Sequence, residues 1–361
     1  MKRNRICSAV FAAAMGFGFM AAPPVLAAAP LAGWTAEAGK AGAEERTRGA
    51  ALRPGDTIGI VAPGSNEDIK EFAKAIRDLE KLGYRLKFGD SCSANYGYFA
   101  GTDSTRAADL NRFFADDEVK AILCMRGGYG AARLLDRLDY GTIARHPKQL
   151  IGYSDITALH VVLGERCRLS TVHGPMLRSF SGGLDKTSYT ARCFLKGIAG
   201  ELYPGDIPLP QGRRLEAVAP GEAEGVIMGG NLSVLVSLVG TPYEMKGDGA
   251  LLLIEDVGED TYRIDRMLWQ LWDNGLLRRV SGILVGDMLK ADDDWEEGDF
   301  RLPEVLERYA RLTGKPMIKG VPVGHGKDNV FLPLGVHAVM KANADGTASL
   351  RLDEAALRIG E

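Results

Sequence analysis

Histidine and cysteine are both scarce in this 361-residue chain, with five of each. Cys7 falls in the N-terminal leader, and the remaining Cys92, Cys124, Cys167 and Cys193 follow spacings that match no zinc or redox motif. Cys124 reads as a core strand residue, and the spacing leaves open a disulfide among the others. There is no His-Glu-x-x-His and no cluster of carboxylates and histidines at ligand spacing, so neither a metal nor a cofactor is expected. No basic run follows residue 27 and the formal charge is −3, which excludes nucleic acid as the expected partner. No apolar run reaches the ~20 residues of a membrane span, so stable membrane association is not expected. Two glycine-rich segments, Arg126-Gly127-Gly128-Tyr129-Gly130 and Met228-Gly229-Gly230-Asn231-Leu232, lack the residues that complete a phosphate-binding loop or a dinucleotide fingerprint.

What is present is the composition of an ordinary soluble enzyme, 46% hydrophobic and 25% charged. The basic Met1-Lys2-Arg3-Asn4-Arg5, the apolar Ala9 to Ala22, the break at Pro23-Pro24 and the small Val25 and Ala27 predict a signal peptide over 1–27, hence export to the periplasm. Cleavage after Ala27 moves the formal charge from −3 to −6 by removing Lys2, Arg3 and Arg5. Residues 28–51 read as a flexible lead-in and 52–178 as an N-terminal α/β domain. Strands at Thr57–Ala62, Tyr84–Phe88, Val119–Met125 and Gln149–Gly152 alternate there with helical stretches, the pattern of a flavodoxin/Rossmann-like parallel sheet with its site at the carboxyl ends of the strands. The proline-rich 179–221 reads as a linker. Residues 222–361 read as a mixed α/β C-terminal domain, with strands near Gly225–Met228, Leu251–Ile254, Ser281–Val285 and Ser349–Leu352, and helices at Leu232–Leu238, Ile264–Asn274 and Pro303–Leu312.

Ser154 sits where an apolar strand runs into a helix, in Gly152-Tyr153-Ser154-Asp155-Ile156, which is how a serine hydroxyl is presented for attack beside free helix-opening N–H groups. An ordinary Ser-Asp helix cap has the same local pattern. The strand ending in Ile254 delivers Glu255 and Asp256, neighbours of which only one can face a given partner within a strand. Among the five histidines, His146 precedes a proline in a polar stretch, His160 lies inside the helix after Ser154, His173 stands in Val172-His173-Gly174-Pro175 and His337 in a strand-like run. His325, between two glycines in a loop, is the best candidate for a mobile base. Arg126, next to the glycine loop, is a candidate for holding a substrate carboxylate, or else a structural ion-pair partner. Trp295, in the acidic loop 291–297, is a candidate stacking platform or a surface residue.

With Arg53-Pro54-Gly55-Asp56, Arg126-Gly127-Gly128-Tyr129-Gly130, Gly152-Tyr153-Ser154-Asp155, Gly229-Gly230-Asn231-Leu232, Ile254-Glu255-Asp256, Gly324-His325 and Leu332-Pro333-Leu334-Gly335 in this order, the chain resembles the LD-carboxypeptidases, serine peptidases that include the microcin-immunity hydrolases. The resemblance implies a triad of Ser154, Glu255 and His325 split across the domain interface, with Glu255 preferred to Asp256. It also implies an oxyanion site formed by the backbone N–H groups of Asp155 and of Gly127 or Gly128. The implied substrate is a peptidoglycan stem tetrapeptide that loses its terminal D-alanine. Hydrolysis of an acyl-adenylate-like amide is the alternative within the family. A non-catalytic periplasmic binding protein is the alternative outside it. A homodimer is compatible with all of these.

Overall fold

A computed structural model describes residues 46–359. The signal peptide and residues 28–45 of the lead-in lie outside this range. Residues 46–50 are tied down: Thr47 and Ala50 make bridges to Leu169 and Arg358, and the Arg46 guanidinium donates to the Gly164 carbonyl at 2.7 Å.

The first part of the chain alternates as β1 (Thr57–Val61), α1 (Ala73–Lys81), β2 (Arg85–Phe88), α2 (Asp103–Ala115), β3 (Val119–Cys124), α3 (Tyr140–Arg145), β4 (Gln149–Gly152), α4 (Thr157–Arg166), β5 (Thr171–His173) and α5 (Tyr189–Ile198). Strands β1, β3 and β4 are almost wholly buried apolar runs, as expected where helices cover both faces of a parallel sheet. Their order, β2-β1-β3-β4-β5, is the doubly wound flavodoxin-like order. Helix starts are sealed by side chains where the sequence offers them: Thr102 accepts from the Thr105 N–H and Ser188 from that of Ala191.

The rest of the chain supplies β6 (Gly205–Asp206), β7 (Glu216–Ala219), β8 (Gly221–Asn231), α6 (Leu232–Ser237), β9 (Leu251–Val257), α7 (Thr261–Asp273), α8 (Leu276–Arg279), β10 (Gly282–Leu289), α9 (Leu302–Thr313), β11 (Met317–Lys319), β12 (Leu332–Leu334), β13 (His337–Ala342) and β14 (Ala348–Leu352). These form a mixed sheet, β6-β14-β13-β8-β9-β10-β11-β7, in which β8 to β11 run parallel. One strand departs: β12 joins the first sheet, antiparallel to β5. The stretch expected as a linker carries α5, whose Phe194 enters the first core, and contributes β6 and β7 to the second sheet.

Helix α4 explains how the sheets meet. Its residues Thr157 to Gly164 are all buried, apolar almost all round, and it touches both β5 and β8. A helix without a polar face has to be enclosed, and a second sheet against it meets that need. The carboxyl ends of β4 and β9 thereby come to one place, and the loop after β11 reaches the same place.

Candidate active site

The turn after β4 holds Ser154 at φ +64°, in the left-handed region where a side-chain-bearing residue is strained by about 1–2 kcal/mol. The turn is held by its neighbours. The buried carboxylate of Asp155 accepts from the Ala131 N–H at 2.9 Å, and the His160 ring nitrogen Nε2 meets the Gly152 carbonyl at 2.9 Å. Burial raises the Asp155 carboxyl and lowers His160 to about 4, so His160 is a neutral structural group at physiological pH. This strand-to-helix elbow turns the Ser154 hydroxyl outward.

Glu255, near the carboxyl end of β9, is fully buried, and its Oε2 lies 2.8 Å from Nδ1 of His325. Nε2 of the same ring lies 3.0 Å from Oγ of Ser154. The glycines flanking His325 now have a reason: a Cβ on Gly324 would sit 2.7 Å from Glu255 Oε2, and one on Gly326 2.1 Å from Asp287 Oδ2. Only glycine lets the loop close over the two carboxylates.

Asp256 faces the other way. It accepts from Asn231 Nδ2 (3.1 Å), Ser233 N–H (2.8 Å), Ser233 Oγ (2.6 Å) and its neighbour's Val257 N–H (2.8 Å), fixing the start of α6. Strand alternation thus separates two adjacent carboxylates, one toward the imidazole and one toward a helix end.

The electrostatics follow from burial and pairing. Loss of solvent pushes the Glu255 carboxyl up, opposed by the hydrogen bond and charge of His325. Burial alone would lower His325, but the Glu255 hydrogen bond and charge, with smaller contributions from Asp256 and Asp287, raise it above the ordinary histidine value. Tyr153 sets its ring edge-on to the imidazole, centroids 5.0 Å apart. His173, fully enclosed behind Tyr153, is held neutral by desolvation; His146 and His337 lie near Asp117 and Asp353. Of the five histidines, His325 is the one that reaches Ser154.

The glycine loop after β3 borders the serine. A Cβ on Gly127 would lie 3.0 Å from Ser154 Cβ and 3.3 Å from both Ser154 Oγ and the Asp155 nitrogen, so this backbone passes as close as a glycine can. Gly128 follows at φ +102°. Arg126 pairs with Glu67 at 3.0 Å, and Arg178 binds the other oxygen of the same carboxylate. Trp295 is half-buried with the Arg301 guanidinium 3.8 Å from its ring centroid, in a pocket whose lining includes none of Ser154, Glu255 and His325. The four cysteines 92, 124, 167 and 193 are buried and free. Among the described residues no group of three or more His, Cys, Asp or Glu is placed to hold a metal ion, and no helix is long and apolar enough to cross a membrane.

Sequence reasoning passed over three contributors. Asn231 lies beside Glu255 in the β8–β9 register and binds Asp256. Asp287 and Arg213 form a 2.6 Å ion pair under the histidine loop, and Arg213 also holds the Gly320 and Val321 carbonyls. A polar groove of about 750 Å³ is bordered by Tyr153 and Gly326, the neighbours of Ser154 and His325. Only Asn231 stood in a recognisable motif.

The LD-carboxypeptidase N-terminal domain matches residues 58–174 and the LD-carboxypeptidase C-terminal domain matches 224–340. The chain is 41% identical over 314 residues to a probable murein peptide carboxypeptidase of Bacillus subtilis, covering 85% of this chain and 96% of the relative. To the murein tetrapeptide carboxypeptidase of Pseudomonas aeruginosa it is 32% identical over 296 residues, covering 79% and 93%. The crystal structure of muramoyltetrapeptide carboxypeptidase from Oxalobacter formigenes superposes with a TM-score of 0.71 at 27% identity, over 83% of this chain and 99% of that one. That of an MccF-like protein from Bacillus anthracis gives 0.75 at 28%, over 85% and 99%. Two domain matches that together span more than half the chain, and curated relatives along nearly their whole length, make this protein a member of the LD-carboxypeptidase family, a hydrolase of the serine carboxypeptidase class.

Proposed function

We propose that this protein removes the terminal D-alanine from peptidoglycan stem tetrapeptides, with Ser154 as nucleophile, His325 as base and Glu255 as the carboxylate that orients it. The observation that carries the reading is the continuous contact from Ser154 Oγ through the His325 ring to the buried Glu255, at 3.0 and 2.8 Å. A serine hydroxyl becomes an effective nucleophile when a base takes its proton. His325 Nε2 takes it as Oγ attacks the carbonyl carbon. The N–H groups of Asp155 and Gly127 or Gly128 bind the oxyanion that forms, each donor lowering the barrier by roughly 3 kcal/mol. The imidazolium, stabilised by Glu255, returns the proton to the departing amine of D-alanine; water then releases the acyl group by the same route. Arg126 is a candidate for recognising the terminal carboxylate, on condition that it exchanges part of its pairing with Glu67. Export by residues 1–27 would put the enzyme in the periplasm, where such stems occur.

Incubation of the purified mature protein with tetrapeptide muropeptides, followed by mass spectrometry, tests the reading. The expected product is the tripeptide stem with one alanine released. Intact tetrapeptide, together with cleavage of an acyl-adenylate-like amide, would instead support the immunity-type reading, which the MccF-like structure makes the competing one.

A further inference from the structure

The groove beside the triad carries a side chain that the mechanism does not use. Asn329 is 4% exposed and lines the groove, yet both amide atoms, Nδ2 and Oδ1, are buried without a partner in the protein. Among the buried side-chain amides of the described residues, Asn231 is bonded through both atoms and Gln149 donates twice while its Oε1 has no partner, so Asn329 stands apart in having neither half paired. Its main chain is fixed: the Asn329 N–H donates to Thr190 Oγ1 at 3.0 Å, and the next N–H, of Val330, to the Pro322 carbonyl at 2.8 Å. A buried amide with neither half satisfied is a cost to the fold, and cores normally avoid it. An amide whose main chain is anchored while its head is unbonded and can turn toward a groove that touches the neighbours of both Ser154 and His325 is a binding group in waiting.

The chemistry of its partner follows from that of the amide. One donor and one acceptor side by side are matched by a group with one acceptor and one donor, whichever way the amide is turned. A peptide unit has that pair; a carboxylate offers acceptors alone and an ammonium donors alone. Charged groups along the stem would meet other side chains in this groove, Arg192 and Lys327 of one sign and Asp185 and Asp328 of the other. A groove of about 750 Å³ also far exceeds the room a departing alanine needs, so it suits the acyl side of the scissile bond. We infer that Asn329 is a specificity-determining residue that binds, through both halves of its amide, a backbone peptide unit of the stem on the acyl side of the cleaved bond. This rests on the carboxypeptidase reading above.

The test compares wild type with Asn329→Leu and Asn329→Ala by steady-state kinetics on the stem tetrapeptide and by thermal melting. Both variants should raise KM at least about tenfold while kcat stays within about threefold, the signature of lost binding common to ground and transition states. Asn329→Leu, which removes the unpaired amide and keeps the branching and the number of side-chain heavy atoms, should melt at or above the wild-type temperature. Unchanged KM in both variants overturns the inference. So does a lowered melting temperature in both, which would mean that the amide serves the fold. If wild-type enzyme leaves the tetrapeptide intact, the carboxypeptidase reading has failed, and the melting comparison still decides whether Asn329 is held for a ligand or for stability.

Discussion

Exchanging each of the adjacent carboxylates for its amide should separate chemistry from architecture. Glu255→Gln keeps the shape of a side chain that is wholly buried and makes one contact to His325, at 2.8 Å. The amide cannot stabilise an imidazolium, and when its NH2 group faces Nδ1 it imposes the tautomer whose Nε2 carries the proton, so Ser154 loses its base. The comparable loss of an orienting carboxylate in serine proteases costs about 10⁴-fold, or about 5.4 kcal/mol of barrier, and a similar loss of kcat is expected here. Stability should hold or improve, because desolvation penalises the ionised carboxylate that is removed. Asp256→Asn should do the reverse. Its carboxylate accepts four hydrogen bonds, and an amide must turn its NH2 group against at least one donor, either Ser233 or the Asn231 and Val257 pair. Losing two charge-assisted bonds is worth about 3 kcal/mol, which for a protein of this size lowers the melting temperature by roughly 4 °C. Turnover per folded molecule should stay within about tenfold of wild type. Steady-state turnover of tetrapeptide and calorimetric melting, both at neutral pH, measure the two effects. A Glu255→Gln enzyme retaining more than about a hundredth of wild-type kcat, or an Asp256→Asn enzyme impaired in turnover but not in stability, would refute the assignment.

Ser154→Ala and His325→Ala should each reduce turnover by several orders of magnitude with circular dichroism unchanged; Ser154→Gly, relieved of the +64° strain, should exceed Ser154→Ala in urea-unfolding stability by about 1 kcal/mol, and equal stabilities would show that the turn stores none. Because Glu255 raises His325 and the base must be neutral, kcat/KM should fall on acidification through an apparent pKa above about 6.5, and an acid limb below 6 contradicts that coupling. The same raised value makes the imidazolium a stabilising group at low pH whose contribution disappears as pH rises through the folded-state pKa, which pH-dependent denaturation would register. Gly127→Ala introduces a Cβ 3.0 Å from that of Ser154 and should cost about 10²-fold in kcat with KM little altered; full activity would remove this loop from the oxyanion site. Cell fractionation with N-terminal sequencing should find a mature chain starting at Ala28 in the periplasm, and an intact Met1 in the cytosol would refute export.

The long elements are legible in the sequence because each satisfies one period over enough residues. The apolar runs of β3 and β9 and the amphipathic α7 and α9 are of this kind. Strands β5, β11 and β12 have three residues each, too few for any alternation to register, and they exist because neighbouring strands offer them partners. At the site, the turn at Ser154 and the glycines around His325 carry local signals. The choice between Glu255 and Asp256 does not, since adjacency fixes only that they diverge, and the deciding partners are 70 residues away at His325 and about 25 away at Asn231 and Ser233. Asn329 and the Arg213–Asp287 pair are ordinary polar residues until folding buries the first and brings the other two together.

The exchange of β12 into the first sheet bears on the order in which the chain is made. β5 is complete at His173 and pairs with β4 on one side, but the strand that covers its other edge starts at Leu332, 159 positions later. At about 5–20 residues per second, the ribosome needs roughly 8–30 s to supply it. Until then the Thr171–His173 edge offers unpaired backbone groups to any passing strand, its own later segments included. Keeping the nascent chain unfolded, whether by a chaperone or by passage through a membrane pore, would cover that interval. A fragment ending before β6 would never leave it, and should be prone to aggregate even though its helices and four of its strand pairings are all encoded upstream.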